Sequence, residues 1–164
     1  MFRKIMVPID GSPTSNLGLE EAMKLAKENR ATLYLFHVVD EVSLIQNSAV
    51  LGGGGYVDTL FEDFVNAGKK ILAEAEAKVR KHRIRSKSLL VETFTAATSD
   101  LIVNQAKRWG VNLIVLGTHG RRGIRRLVLG SDAEGVVRAT PVPVLLVRGT
   151  ARPRKKAAKR AKRT

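Results

Sequence analysis

No cysteine occurs among the 164 residues. That excludes disulfide bonds, thiol catalysis and any zinc or iron–sulfur site held by cysteine, and it agrees with a reducing compartment. Aromatic residues make up only 5%, so the core must be built from aliphatic side chains. No apolar run approaches the ~18–20 residues of a membrane span. Met1–Lys4 leads straight into a short apolar stretch without the layout of a signal peptide. The expectation is a cytoplasmic protein with neither a membrane span nor a secretion signal.

Two familiar nucleotide motifs are also missing. No Gly-x-x-x-x-Gly-Lys-Ser/Thr occurs, and no Gly-x-Gly-x-x-Gly follows the first apolar run, which excludes a P-loop enzyme and a dinucleotide dehydrogenase. The three histidines, His37, His82 and His119, have no metal-ligand spacing, so no protein-held metal is expected. Ser12 and Ser131 have no histidine partner in sequence reach and read as turn and cap residues rather than nucleophiles.

What is abundant is positive charge, and it is unevenly spread. The net charge is +14, but Ala151–Thr164 holds eight Lys/Arg and no acid, leaving 21 bases against 15 acids in the first 150 residues. The length suits one domain of ~100–200 residues, taken as residues 1–149, with 150–164 as a basic tail. Such a like-charge block is expected to be disordered on its own. Lacking aromatics, it fits attraction to a nucleic-acid or polyanion backbone rather than base stacking. The alternative is a solubilising extension with no dedicated partner.

Within the body, apolar periodicity alternates between strand and helix. Lys4–Ile9, Thr32–Val39, Ser88–Glu92, Leu113–Leu116 and Val142–Val147 read as strands. Between them, helices are predicted over about residues 15–29, over the stretch from Phe61 to Val79, over Ser99–Trp109 with Thr98 or Ser99 as N-cap, and from Ser131. Ser131 and Glu134 fit a capping box, with Ala133, Val136, Val137 and Thr140 on one face. Trp109 and the phenylalanines of the second helix fall at core spacing, and His37 reads as a packed core histidine. The stretch Asp40–Tyr56, with Gly52–Gly55, reads as a mobile loop or lid. This alternation predicts an α/β protein with a single open parallel sheet, helices on both faces and right-handed crossovers. Ligands of such sheets bind at the carboxyl ends of strands, where the strand order reverses.

The segment from Gly117 to Ser131 concentrates the chemistry. Glycines at 117 and 120 let the backbone approach a ligand or adopt positive φ. Gly130-Ser131 opens a helix whose free N–H groups suit a phosphate. Arg121, Arg122, Arg125 and Arg126 add positive charge, and Asp10 at the end of the first strand can accept from a ribose hydroxyl. Two readings stand on these residues alone: an adenine-nucleotide site, or a glycine-rich turn with an ordinary capped helix and a solvated arginine face.

The spacing Gly117-x2-Gly120-x9-Gly130-Ser131 resembles that of the universal stress protein family. Three further stretches agree in order: Val7-Pro8-Ile9-Asp10-Gly11-Ser12, His37-Val38-Val39-Asp40, and Pro141-Val142-Pro143-Val144-Leu145-Leu146-Val147. The resemblance implies a Rossmann-like five-stranded sheet of order 3-2-1-4-5. It implies that adenine and ribose lie near Pro8, Ile9, Asp10 and Val38. Phosphates would be held by the backbone of Leu116, Gly117 and Gly120 and of Gly130, Ser131, Asp132 and Ala133, with Arg121 beside them. Asp132 departs from the apolar residue many members carry. ATP is the implied cofactor, with Mg²⁺ brought by the nucleotide. The resemblance also implies a homodimer through Val142–Val147, where Pro143 marks an edge strand. The functional expectation is an ATP-binding regulatory or protective factor in stress response. The competing readings are an ATP hydrolase or phosphotransferase, and a nucleic-acid-associated protein working through its tail.

Overall fold

The computed structural model describes residues 1–40, 57–118 and 129–149, and of residues 57–60 the backbone alone. Of the segment expected to be a lid, Asp40 belongs to a strand and the rest lies outside the described residues, as do the arginines of the Gly117–Ser131 segment with His119 and Gly120, and the basic tail.

Five strands form one parallel sheet: β1 (Lys4–Pro8), β2 (Thr32–Asp40), β3 (Ser86–Thr93), β4 (Leu113–Gly117) and β5 (Val144–Val147). Four helices connect them: α1 (Pro13–Asn29), α2 (Val57–Lys81), α3 (Thr98–Trp109) and α4 (Ser131–Ala139). The order across the sheet is β3-β2-β1-β4-β5, as the resemblance implied. β1 is central, with Ile5 opposite Leu33 on one side and Leu113 on the other.

Side chains alternate between the faces with the period of two that strands impose. Ile5, Val7, Leu33, Leu35, Leu113 and Val115 point to one face, where Leu19, Ala22 and Ala26 of α1 and Leu72, Ala75 and Val79 of α2 cover them. Met6, Tyr34, Phe36, Ile114 and Leu116 point to the other, beneath Ile102, Val103 and Ala106 of α3 and Ala133 and Val136 of α4. Burial on both faces is why β1, β2 and β4 are continuous apolar runs. Each large aliphatic side chain so buried contributes about 1.5–3 kcal/mol.

The helix ends follow local chemistry. Ser12 caps α1, its Oγ accepting from the Ser15 amide at 3.1 Å, with Pro13 in the first turn. Two predicted caps are displaced by one or two residues. The N-cap of α3 is Ala97, without a side-chain bond; Ser99 lies inside the helix, and a Cβ on Gly135 of α4 would stand 2.7 Å from its Cβ and Oγ. The N-cap of α4 is Gly130 rather than Ser131, so no capping box forms, and Glu134 pairs with Arg138 at 2.7 Å instead.

Other expectations are also corrected. Val137 is exposed, leaving Ala133 and Val136 as the buried residues of α4. The fifth strand begins at Val144, not Val142: Pro143 has no N–H to give, and only its carbonyl joins the ladder, accepting from Ile114 at 3.0 Å. Phe61 and Phe64 are half-buried, Phe61 stacking on the exposed Phe94. Trp109 is half-buried too, with its ring 5.0 Å from Tyr34 and 5.9 Å from Phe36. His37 is buried as expected.

Candidate nucleotide site

The strand order reverses between β1 and β4: the chain passes from β1 to β2 on one side and returns to β4 on the other. The carboxyl ends of these two strands bring together Pro8, Ile9 and Asp10 from β1, and Leu116 and Gly117 from β4. Val38 joins from β2, packed against the α3/α4 side of the sheet. Such a reversal opens a crevice that ligands of open α/β sheets occupy.

At the β1 end the backbone is tightly held. The Ile9 amide donates to the Phe36 carbonyl at 2.8 Å, and His37 Nδ1 lies 2.6 Å from the Ile9 oxygen. A carbonyl can only accept, so Nδ1 carries the proton. Asp10 then turns the chain, its Oδ1 accepting from the Ser12 amide at 2.9 Å. Gly11 has φ +78, a value that glycine adopts without strain. The Asp10 carboxylate is therefore oriented by the turn it makes.

At the β4 end, Thr118 is buried; its amide donates to Val147 O at 2.9 Å and its carbonyl accepts from the Gly130 amide at 3.0 Å. The two ends of the glycine- and arginine-rich segment are thereby tied together, and α4 starts directly beyond β4. First-turn amides have no acceptor inside a helix, and a glycine N-cap brings no side chain to cover them. Ile9, Leu116 and Ala133 are buried and can offer main chain alone; Ser131 and Asp132 are exposed. Gly120 and Arg121 lie outside the described residues.

The glycines at 117 and 130 have different reasons to be glycine. A Cβ on Gly117 would stand 2.7 Å from the Thr14 backbone carbon and oxygen and 2.9 Å from the Ser15 amide nitrogen. Its small size lets the first turn of α1 sit on β4, and its φ is not positive, so of the two expected uses, close ligand approach or positive φ, the second does not apply. At Gly130 a Cβ would meet Thr118 O at 3.5 Å, an ordinary contact. No described residue demands glycine there.

A cavity of about 750 Å³ lies between α1 and α2, lined by Asp10, Ser12, Asn16, Ile71, Glu74 and Lys78 among others. It touches neither Gly117 nor Gly130 but shares Asp10 with the crevice. Among the described residues, no three His, Asp or Glu gather closely enough to hold a metal ion. Sequence reasoning missed two residues that shape the site, Thr118 and the His37 ring. Their signal was weak, because a threonine after a glycine and a histidine in an apolar strand have many uses.

A parallel sheet of this order, with a glycine-capped helix opening at the end of its fourth strand, defines a doubly wound, Rossmann-like α/β protein. The universal stress protein family model matches residues 1–148, and the chain belongs to that family. It is 34% identical to universal stress protein YxiE of Bacillus subtilis over 152 residues, covering 90% of this chain and 100% of the relative. It is 36% identical to universal stress protein A homolog 2 of Coxiella burnetii over 149 residues, covering 90% and 95%. The fold superimposes on Methanocaldococcus jannaschii MJ0577 with a TM-score of 0.79 at 23% identity, over 92% of this chain and 99% of that one.

Proposed function

We propose that the chain binds an adenine nucleotide, ATP with its Mg²⁺, at the carboxyl ends of β1 and β4, and acts in the cytoplasm as a regulatory or protective factor in stress response. The observation that carries this reading is the start of α4: a glycine N-cap without a side-chain cap, on a helix amino end that the Gly130–Thr118 hydrogen bond sets against the end of β4. Ser131, Asp132 and Ala133 would face phosphate through main chain, with Gly120 and Arg121 joining from the segment between. Pro8, Ile9, Asp10 and Val38 would face the nucleoside. Two other universal stress protein structures of the same fold are complexes with cAMP (TM-score 0.58, 21% identity) and, from Archaeoglobus fulgidus, with dAMP (TM-score 0.63, 20% identity). They support an adenine nucleotide as the ligand class. When bound, the nucleotide would supply a signal or a store of phosphoryl groups.

Binding is favoured over turnover. Among the described residues, His37 is the histidine nearest the crevice; its Nδ1 is engaged by Ile9 and its Nε2 edge packs over Gly68 of α2, so it is not placed as a general base. Mass spectrometry of the small molecule that co-purifies with the chain tests the ligand class. An adenine nucleotide is expected, and a different ligand filling the site would contradict it.

A homodimer through β5 belongs to the same reading. β5 is an edge strand with Leu146 exposed, whereas the opposite edge, β3, exposes Lys87 and Ser88. Charge on an edge discourages pairing, and an apolar edge invites it. The run of bases in residues 150–164 adds weak attraction for polyanions.

A further inference from the structure

The described surface is electrically lopsided. In a parallel sheet all strands start at one pole, and the helices that feed them end there. At this pole, Arg3 and Lys4 open β1, and Lys27 and Arg30 close α1. Arg80 and Lys81 end α2, with Arg83 and Arg85 in the link to β3, and Lys107 and Arg108 end α3. All of these are exposed. Glu28 is the acid among them; over the rest of the described residues, acids outnumber bases.

Helix ends attract bases, and three of these do serve them. Arg3 donates to Asn29 O at 3.2 Å, Arg85 to Arg30 O at 3.4 Å, and Lys4 to Trp109 O at 3.0 Å. Those acceptors are neutral, so the bonds fix the side chains without cancelling their charge. The helix dipoles offer only about −0.5 each at three ends, far less than the positive charge assembled. The ion pairs of the described residues lie elsewhere, at Lys24–Glu21, Lys78–Glu20 and Arg138–Glu134. Among the described residues, the side chains of Arg80, Lys81, Lys107 and Arg108 make no hydrogen bond or ion pair.

The bonds also set these bases in a row along the sheet edge, from Arg85 to Arg30, Arg3 and Lys4, ending beside Trp109. With strands about 4.8 Å apart, the row from β3 to β4 spans about 14 Å. That length matches about four phosphates of one DNA strand at 3.4 Å per charge. Arginine predominates, and its planar fork suits phosphate oxygens.

We infer that the pole formed by the strand amino ends is a docking surface for a nucleic-acid phosphate backbone, separate from the nucleotide crevice at the opposite ends of the strands. Contact there is sequence-independent, since the row offers charge and not base readout.

The test measures binding of the full chain to a 20-base-pair mixed-sequence duplex across a salt series, with circular dichroism as the fold check. Three equal-charge variants are compared: Lys81→Gln/Lys107→Gln/Arg108→Gln at the pole, Lys69→Gln/Lys70→Gln/Arg148→Gln away from it, and Lys155→Gln/Lys156→Gln/Lys159→Gln in the tail. The pole variant should flatten the slope of log K against log salt by about 2–3, the flank variant by much less, and saturating ATP should not compete. Equal losses in the pole and flank variants would reduce the effect to net charge and overturn the surface. It would also fall if the tail variant alone lost binding, if ATP competed, or if the chain bound phosphatidylserine vesicles but not DNA.

Discussion

The His37 ring donates from Nδ1 to the Ile9 carbonyl at 2.6 Å, at the point where β1 parts from β2 and the crevice begins. Its other edge fills the space over Gly68 of α2, where a Cβ would stand 2.8 Å from Cδ2 and 2.9 Å from Nε2. The imidazole thus fixes the backbone from which Asp10 projects, and Gly68 is small because the ring is there. Replacing the ring by phenylalanine keeps bulk and removes the donor. His37→Phe should weaken ATP about tenfold, the equivalent of one lost hydrogen bond, and leave inorganic tripolyphosphate unaffected. His37→Asn, which keeps a donor near the Nδ1 position, should recover part of the loss. Calorimetry with both ligands checks this, and equal losses for ATP and tripolyphosphate would refute the positioning role.

Gly117 is predicted to matter for stability before ligand. Gly117→Ala places a methyl against the Thr14 main chain, which cannot rotate away as a side chain would, and should cost about 2–3 kcal/mol. Urea unfolding without nucleotide measures it. A variant as stable as the parent would contradict the close packing of α1 on β4.

Asp10 has two duties that substitution can separate. Asp10→Asn retains an oxygen for the Ser12 amide, whereas Asp10→Ala loses the turn as well. Both should weaken ATP more than tripolyphosphate, with Ala the worse. Unchanged ATP affinity in the Asn variant would remove the carboxylate from the ribose contact.

Most of the architecture was legible in the sequence, because strands buried on both faces leave unbroken apolar runs such as Thr32–Val39, and α1 carries its own start signal in Ser12-Pro13. The misread boundaries are places where tertiary contacts override local signals. Ser99 looks like a cap but lies inside α3, packed closely on Gly135, and Ser131 is the first helical residue after Gly130, whose amide bonds to Thr118. Pro143 looked like part of a strand because the apolar pattern continues through it, although it cannot donate to a ladder. At the site, the motif glycines were visible but their reasons were not. Only the three-dimensional contacts separate Gly117, fixed by Thr14, from Gly130, which no described residue constrains.

The proposed β5 interface makes a prediction on one side chain. Leu145 and Val147 pack toward the α1/α2 face, so Leu146 is the residue to charge. Sedimentation should show a dimer for the parent chain at micromolar concentration and a monomer for Leu146→Lys. A monomeric parent, or a dimer indifferent to the substitution, would place the interface elsewhere or remove it.

ATP calorimetry on Gly130→Val tests the central claim most directly. Gly130 has φ −62 and ψ 150, which any residue can adopt, and among the described residues its Cβ position meets nothing closer than 3.5 Å, so the variant should fold with an unchanged melting temperature. A branched side chain there would crowd the amino end of α4. The account predicts that the parent chain binds ATP and that the variant loses at least about tenfold in affinity, about 1.4 kcal/mol. A folded variant that binds ATP as tightly as the parent would contradict phosphate binding at α4.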